Sequence, residues 1–257
     1  MPPPSIARVY DYLLGGDNHA ASDREVGDRI TTALPQVYVG VREQRALLRR
    51  VVRYLVTEAG GRQVIDIGSG LPTAGNVHEI ACQAEPGASV AYVDNDPGVV
   101  AHSRALLAGD AATTAIEGDL RHPRELLADP RLRRLIDLDR PVGLLLCGIL
   151  HYISDDADPW RLTRTLSAAL PSGSYLFVHH LLHTDDPDAA DAQAALREGL
   201  GRGRFRTADE IVRFFEGYEI VGPGLVPVPA WRPDPDTPAI TAEPVLRLAC
   251  CGVGRKH

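Results

Sequence analysis

Gly68-Ser69-Gly70 is followed, at the ends of the next two apolar runs, by Asp94, Asp96 and Asp119. Two glycines one residue apart let a backbone approach a ligand without interference from Cβ atoms. An acid roughly 25 residues downstream of such a turn can accept both hydroxyl hydrogens of a ribose. Asp119 can accept from an adenine amino group, and Asp96, before Pro97, also suits a helix N-cap. Three strand tips carrying a glycine turn, a ribose acid and an adenine acid in order point to an adenosine-bearing cofactor. A dinucleotide fingerprint has a third glycine where this chain has Thr73, and Leu71-Pro72 widens and stiffens the turn. That disfavours a nicotinamide-dependent oxidoreductase. Further along, His151 and Tyr152 follow a fourth apolar run and His180 ends a fifth. An imidazole there could serve as a general base for an acceptor that is protonated at rest.

The elements that must position these residues alternate between strand and helix patterns. Strand character falls at 63–68, 89–94, 114–119, 141–148 and 173–180, in runs apolar on both faces, as parallel strands covered by helices are. The helical stretch before 173 places Trp160, Leu162, Leu166 and Leu170 on one face. After 180 come helices around 187–199 and 207–216, then strands at 218–222 and 245–253 separated by a proline-rich connection without periodicity. The expectation is an α/β, Rossmann-like doubly wound fold: a seven-stranded, mostly parallel sheet whose last strand is antiparallel. Residues 5–60 form a helical preamble in which Leu48, Val51, Val52 and Leu55 share a face. The chain reads as one domain over 1–257, with 1–60 as an N-terminal helical lid and 61–257 as the core.

Composition narrows the function classes. Of 257 residues, 44% are hydrophobic and 24% charged, ordinary for a globular protein, and the net charge of −7 argues against a nucleic-acid surface. Lys256 is the one lysine among 27 basic residues, the mark of GC-rich, bacterial coding. The start lacks the pattern of a signal peptide, and no run is long and apolar enough for a membrane span, so a cytoplasmic location is expected. Cys82, Cys147, Cys250 and Cys251 lack metal or redox spacing and read as core residues. In "VHHLLHTDD" strand alternation separates His179 from His180, and His183 joins His179 only on a helix, so no metal site is expected.

The pattern "DIGSG…VDND…EGDL…LLLCGILHY" resembles the class I S-adenosylmethionine-dependent methyltransferases. With "PSIARVYDYLLGGDNHAASDRE" near the start and "PGLVPVPAWRPD" late, the chain is similar, from about 5 to 253, to a bacterial S-adenosyl methyltransferase family formerly catalogued as a domain of unknown function. The resemblance implies S-adenosylmethionine as cofactor and S-adenosylhomocysteine as product. It implies that Asp66, Gly68, Ser69 and Gly70 surround the methionine moiety and that Asp94 and Asn95 meet ribose and adenine. Asp119 and Leu120 would hold the adenine edge, and Cys147, Gly148 and His151 would lie beside the methyl group. His19 stands where the family more often has an aromatic.

The stretch 5–34 concentrates aromatics, charges and paired glycines that suit a lid better than a solvated helix. Tyr10 or Tyr12 is expected to hydrogen-bond the methionine carboxylate, and Arg8 or Arg24 to do likewise or pin the lid. His151, Tyr152 and His180 are the candidate catalytic residues. The expected function is methyl transfer at oxygen or nitrogen of a small molecule, with no nucleic-acid or membrane partner. The 222–244 stretch covers the acceptor side or makes a subunit contact, which leaves a homodimer open. A non-catalytic sensor of the cofactor or its product is the rival reading.

Overall fold

The computed structural model describes residues 3–72, 75–234 and 243–257. Thr73 and part of the proline-rich connection therefore lie outside the described residues. The chain opens with α1 (Ile6–Leu14), α2 (Ala21–Ala33) and α3 (Val37–Thr57). Alternation then begins with β1 (Gln63–Ile67), α4 (Val77–Ala84), β2 (Ser89–Asp94), α5 (Pro97–Leu106) and β3 (Thr113–Glu117). It continues through α6 (Pro123–Ala128), α7 (Pro130–Leu135), β4 (Gly143–Cys147), α8 (Pro159–Ala168) and β5 (Tyr175–Leu181). The chain closes with α9 (Pro187–Leu200), α10 (Ala208–Val212), β6 (Tyr218–Ile220), β7 (Val226–Pro227) and β8 (Ala249–Lys256).

The strands order as β3-β2-β1-β4-β5-β8-β6, with β7 also on β8. The first five pair in parallel, and β8 pairs antiparallel with β5, β6 and β7. The sheet has eight strands, one more than the sequence suggests, because two residues of the proline-rich connection pair with Cys250 and Cys251. The last strand starts at Ala249, four residues later than its apolar run, since Pro244–Arg247 form a 3₁₀ turn that packs Val245 and Leu246 inward.

Side-chain alternation splits the core across the sheet. Ile65, Leu144, Leu146, Val178 and Cys250 face one cluster, while Val64, Leu145, Phe177 and Cys251 face the other. Trp160, Leu162, Leu166 and Leu170 are buried in the first, as their spacing requires. Leu48, Val51, Val52 and Leu55 of α3 are buried in the second. A third cluster sits above the sheet's carboxyl edge: Val9 and Leu13 of α1, Val26 and Ile30 of α2, Val41 of α3 and Leu196 of α9. The first turns of α3 thus belong to this cap and the rest of α3 to the sheet. Strand order reverses between β1 and β4, where ligands bind in doubly wound sheets.

Candidate active site

At the end of β1 the backbone enters the left-handed region at Gly68 (φ 73°), and a Cβ there would lie 2.8 Å from the Ile149 side chain. Only glycine fits. The Gly70 N–H donates to one Asp94 carboxylate oxygen at 2.8 Å and the Asp96 N–H to the other at 3.0 Å. Asp94 therefore ties the glycine turn to the tip of β2. Burial raises its pKa, and those backbone donors oppose the rise. Asp66 is 4% exposed, and burial pushes its carboxyl up to about 7 despite the nearby Arg45. At the tip of β3, partial burial would raise Asp119, but hydrogen bonds from Arg121 and Asn95 outweigh it and leave the pKa at about 2.

The β1, β2 and β4 tips open into a cavity of about 510 Å³, within the range of small-ligand sites. Asp66, Gly68, Ser69, Gly70, Asp94 and Asn95 line one end. Cys147, Gly148, His151 and Tyr152 line the cavity from the β4 side. Asp119 and Leu120 line an open groove of about 820 Å³ that shares Gly68, Asn95 and Ile149 with the cavity. Burial raises the Cys147 thiol and the Tyr152 hydroxyl to about 12 each, so both stay protonated at neutral pH.

The N-terminal segment closes over this cavity. Ser5 Oγ donates to Asp96 at 2.7 Å, and Arg8 bridges Asp23 of α2, at 2.8 Å, and Asp96, at 3.9 Å. Arg8 thus pins the segment to the tip of β2. Tyr10 lines the cavity, but its hydroxyl donates to the Val41 carbonyl, so that proton is not free for a carboxylate. Tyr12 turns away: its ring lies against Gly27 and its hydroxyl donates to Asp28. Arg24 is exposed on α2. His19 pairs with buried Asp11 at 3.3 Å and meets the Tyr12 ring edge-on, which fixes the loop instead of facing the cavity.

His180 is not placed for catalysis. Its Nδ1 donates to the Leu181 carbonyl at 2.7 Å, leaving Nε2 to accept from Arg206 at 3.0 Å. Both ring nitrogens are engaged, and no residue of the cavity wall is His180. Arg206 is fully buried and also donates to the Leu150 and Ile153 carbonyls and to Asp155. It clamps both ends of the 3₁₀ turn that carries His151 and Tyr152. Burial lowers His151 well below the usual imidazole value, so the ring is neutral at pH 7. Among the described residues, no group of three or more His, Cys, Asp or Glu could hold a metal ion.

Sequence reading missed the contributions of α3 and of the buried arginine. Gln44 donates to Cys147 Sγ at 3.5 Å, and Arg45 reaches the Gly75 carbonyl at 3.0 Å while lining the cavity beside Asp66. Both adjoin the apolar face of α3, a polar interruption that could have marked them. Arg206 gave no such signal, lying in an arginine-rich loop far from any motif.

Residues 2–257 match the model of a family described as S-adenosyl methyltransferase. The chain belongs to that family. Two crystal structures resemble it closely. One is a Thermobifida fusca YX protein provisionally assigned as a methyltransferase: 43% identity, 99% of this chain and 95% of that one, TM-score 0.95. The other is a DUF574 family protein from Streptomyces avermitilis MA-4680: 38% identity, 99% and 98%, TM-score 0.94. Human N-acetylserotonin methyltransferase, solved with S-adenosylmethionine, shares the fold alone: 16% identity, 99% and 63%, TM-score 0.52. No curated protein matches in sequence. The chain is an S-adenosylmethionine-dependent methyltransferase.

The cavity suits that cofactor. Nothing lies within 4 Å of where a Gly70 Cβ would sit, which leaves room for a chain of atoms against the backbone, and the carboxyls of Asp66, Asp94 and Asp96 line the same cavity.

Proposed function

We propose that this methyltransferase acts on a small molecule, at oxygen or nitrogen, within the capped cavity. The observation that carries the reading is the single cavity running from the glycine turn to His151 beneath α1. Asp66 and Arg45 would hold the ammonium and carboxylate of the methionine moiety. Asp94 and Asp96 would hold the ribose, with Asn95 and the Asp119 groove at the adenine. When bound, S-adenosylmethionine supplies a methyl group already activated by positive sulfur. The chain's own task is then alignment and exclusion of water. α1 provides the exclusion, and the Arg206 clamp fixes the direction of His151. Neutral and buried, His151 can accept a proton from an acceptor hydroxyl, and Tyr152 can only donate one.

Acidic charge and a cavity covered on one side by α1 favour a small acceptor over a nucleic acid. No described helix is long and apolar enough to cross a membrane, and a cytoplasmic location agrees with that. Calorimetric titration with S-adenosylmethionine and, separately, NAD⁺ tests the reading. Binding of the first alone is expected, and preference for NAD⁺ would overturn it.

A further inference from the structure

Beside the cofactor cavity lies a second chamber of about 130 Å³, lined largely by the cap. It shares Tyr10, Gln44, His151 and Tyr152 with the cavity, so the two adjoin there. Its walls are apolar: Val9 and Leu13 from α1, Ile30 from α2, Val41 from α3, Leu196 from α9 and Leu248. Among the described residues no Asp, Glu, Lys or Arg lines it. An engineered dry cavity of about 150 Å³ takes benzene, so this chamber has room for one ring.

Its floor is polar in one place. His151 is 4% exposed and His179 3%, and the Nδ1 atom of each is buried without a hydrogen-bond partner. Buried polar atoms in native proteins are nearly always paired, so two orphans on side chains that line one chamber point to a ligand that completes them. Both rings converge on Gly148. The position a Cβ would take there is 3.7 Å from His179 Nδ1, 3.7 Å from His151 Cε1 and 2.7 Å from Gln44 Nε2. Gly148 (φ 77°) thus keeps open a gap bounded by two imidazoles and an amide.

We propose that this chamber is the acceptor subsite and takes an uncharged, one-ring compound whose hydroxyl hydrogen-bonds the unpaired imidazole nitrogens. An ammonium or a carboxylate would shed its water here and find no counter-charge. A hydroxyl both donates and accepts. Either ring can present Nδ1 as an acceptor or as N–H, depending on its tautomer, so a hydroxyl can pair with it in either state. Toluene would fill the chamber and leave the nitrogens unpaired. The proposal rests on the cofactor assignment, since it places the acceptor by reference to that cavity.

The test uses the full chain saturated with S-adenosylhomocysteine, its histidines labelled with ¹⁵N, and phenol, toluene, benzoate and benzylamine as probes. Phenol is expected to bind at least ten-fold more tightly than toluene and to shift the ring ¹⁵N signals of His151 and His179. Benzoate and benzylamine should neither bind nor compete. Leu196→Trp, which fills the chamber from α9, should abolish phenol binding and leave S-adenosylhomocysteine affinity within two-fold, which also reports correct folding. Phenol no tighter than toluene, or a charged probe binding in its place, overturns the proposal on the wild-type protein alone. Phenol binding that survives in a folded Leu196→Trp does so too. Failure to bind S-adenosylhomocysteine at all would instead strike the cofactor reading, and this proposal with it.

Discussion

Asp94 and Asp66 line the same cavity, and burial raises the pKa of both. Asp94 is already a hydrogen-bonded acceptor, receiving the Gly70 and Asp96 N–H groups, and has lone pairs left for hydroxyls. Asp94→Ala should weaken S-adenosylmethionine binding by about 100-fold in calorimetry, the scale of hydrogen bonds to a charged group worth about 1.5–3 kcal/mol. Unchanged affinity would place the ribose elsewhere. Asp66 holds a proton up to about pH 7 because burial penalises its charge. A cation arriving beside it favours the carboxylate and lowers that pKa. Binding at pH 7 should therefore release about half a proton, approaching one at pH 6 and vanishing above pH 8. Calorimetry in buffers of different ionisation enthalpy measures this directly, and Asp66→Asn should abolish it.

At the scale of elements, one buried carboxylate ties the start of α1 to α2. Asp23 of α2 is wholly buried and accepts from Arg8 at 2.8 Å, the Ser5 N–H at 2.9 Å and the Ala20 N–H at 2.7 Å. Burial opposes its charge, but those donors prevail and hold its pKa down. Asp23→Ala orphans the donors and frees the start of α1, costing the cap about 2 kcal/mol. Hydrogen exchange should quicken in α1 while the sheet amides stay protected, and S-adenosylhomocysteine should dissociate several-fold faster. Equal acceleration throughout would mean that the cap is not a separate closing element. This cap also shows what the sequence discloses. The five parallel strands announce themselves because each is apolar on both faces, and the Gly68 turn with Asp94 follows from strand ends. Gln44, His179 and Arg206 do not, because their roles depend on which helix or loop crosses the strand tips, and periodicity is silent about crossings. Tyr12 and Tyr10, alike in sequence two residues apart, fall on different sides of α1, one towards Asp28 and one towards the cavity.

For the molecule as a whole, burying three histidines next to one another couples the site to acid stability. His151, His179 and His180 are all neutral in the fold; burial lowers His179 to about 4 and His180 to about 3. An unfolded chain protonates each near pH 6.5, so between pH 6.5 and about 4 it binds protons that the fold refuses. Stability then falls with pH by about 1.4 kcal/mol per unit for each such group. Asp66 works in the other direction: folded it keeps its proton up to about 7, unfolded it loses it near 4, which favours the fold as pH drops through that window. The buried Asp94 adds to that opposition. Without ligand the two sets partly cancel, but three histidines outweigh Asp66 and Asp94, so stability still falls from pH 6.5 to 4.5. With S-adenosylhomocysteine bound, Asp66 is ionised in the folded state and its compensation disappears. Urea unfolding at pH 6.5, 5.5 and 4.5 should therefore show a pH slope steeper by about one proton in saturating ligand, and His179→Phe should flatten it by about one proton in either condition. Parallel slopes with and without ligand would mean that Asp66 does not face the bound cation, and the orientation assigned to the methionine end of the cavity would have to be reversed.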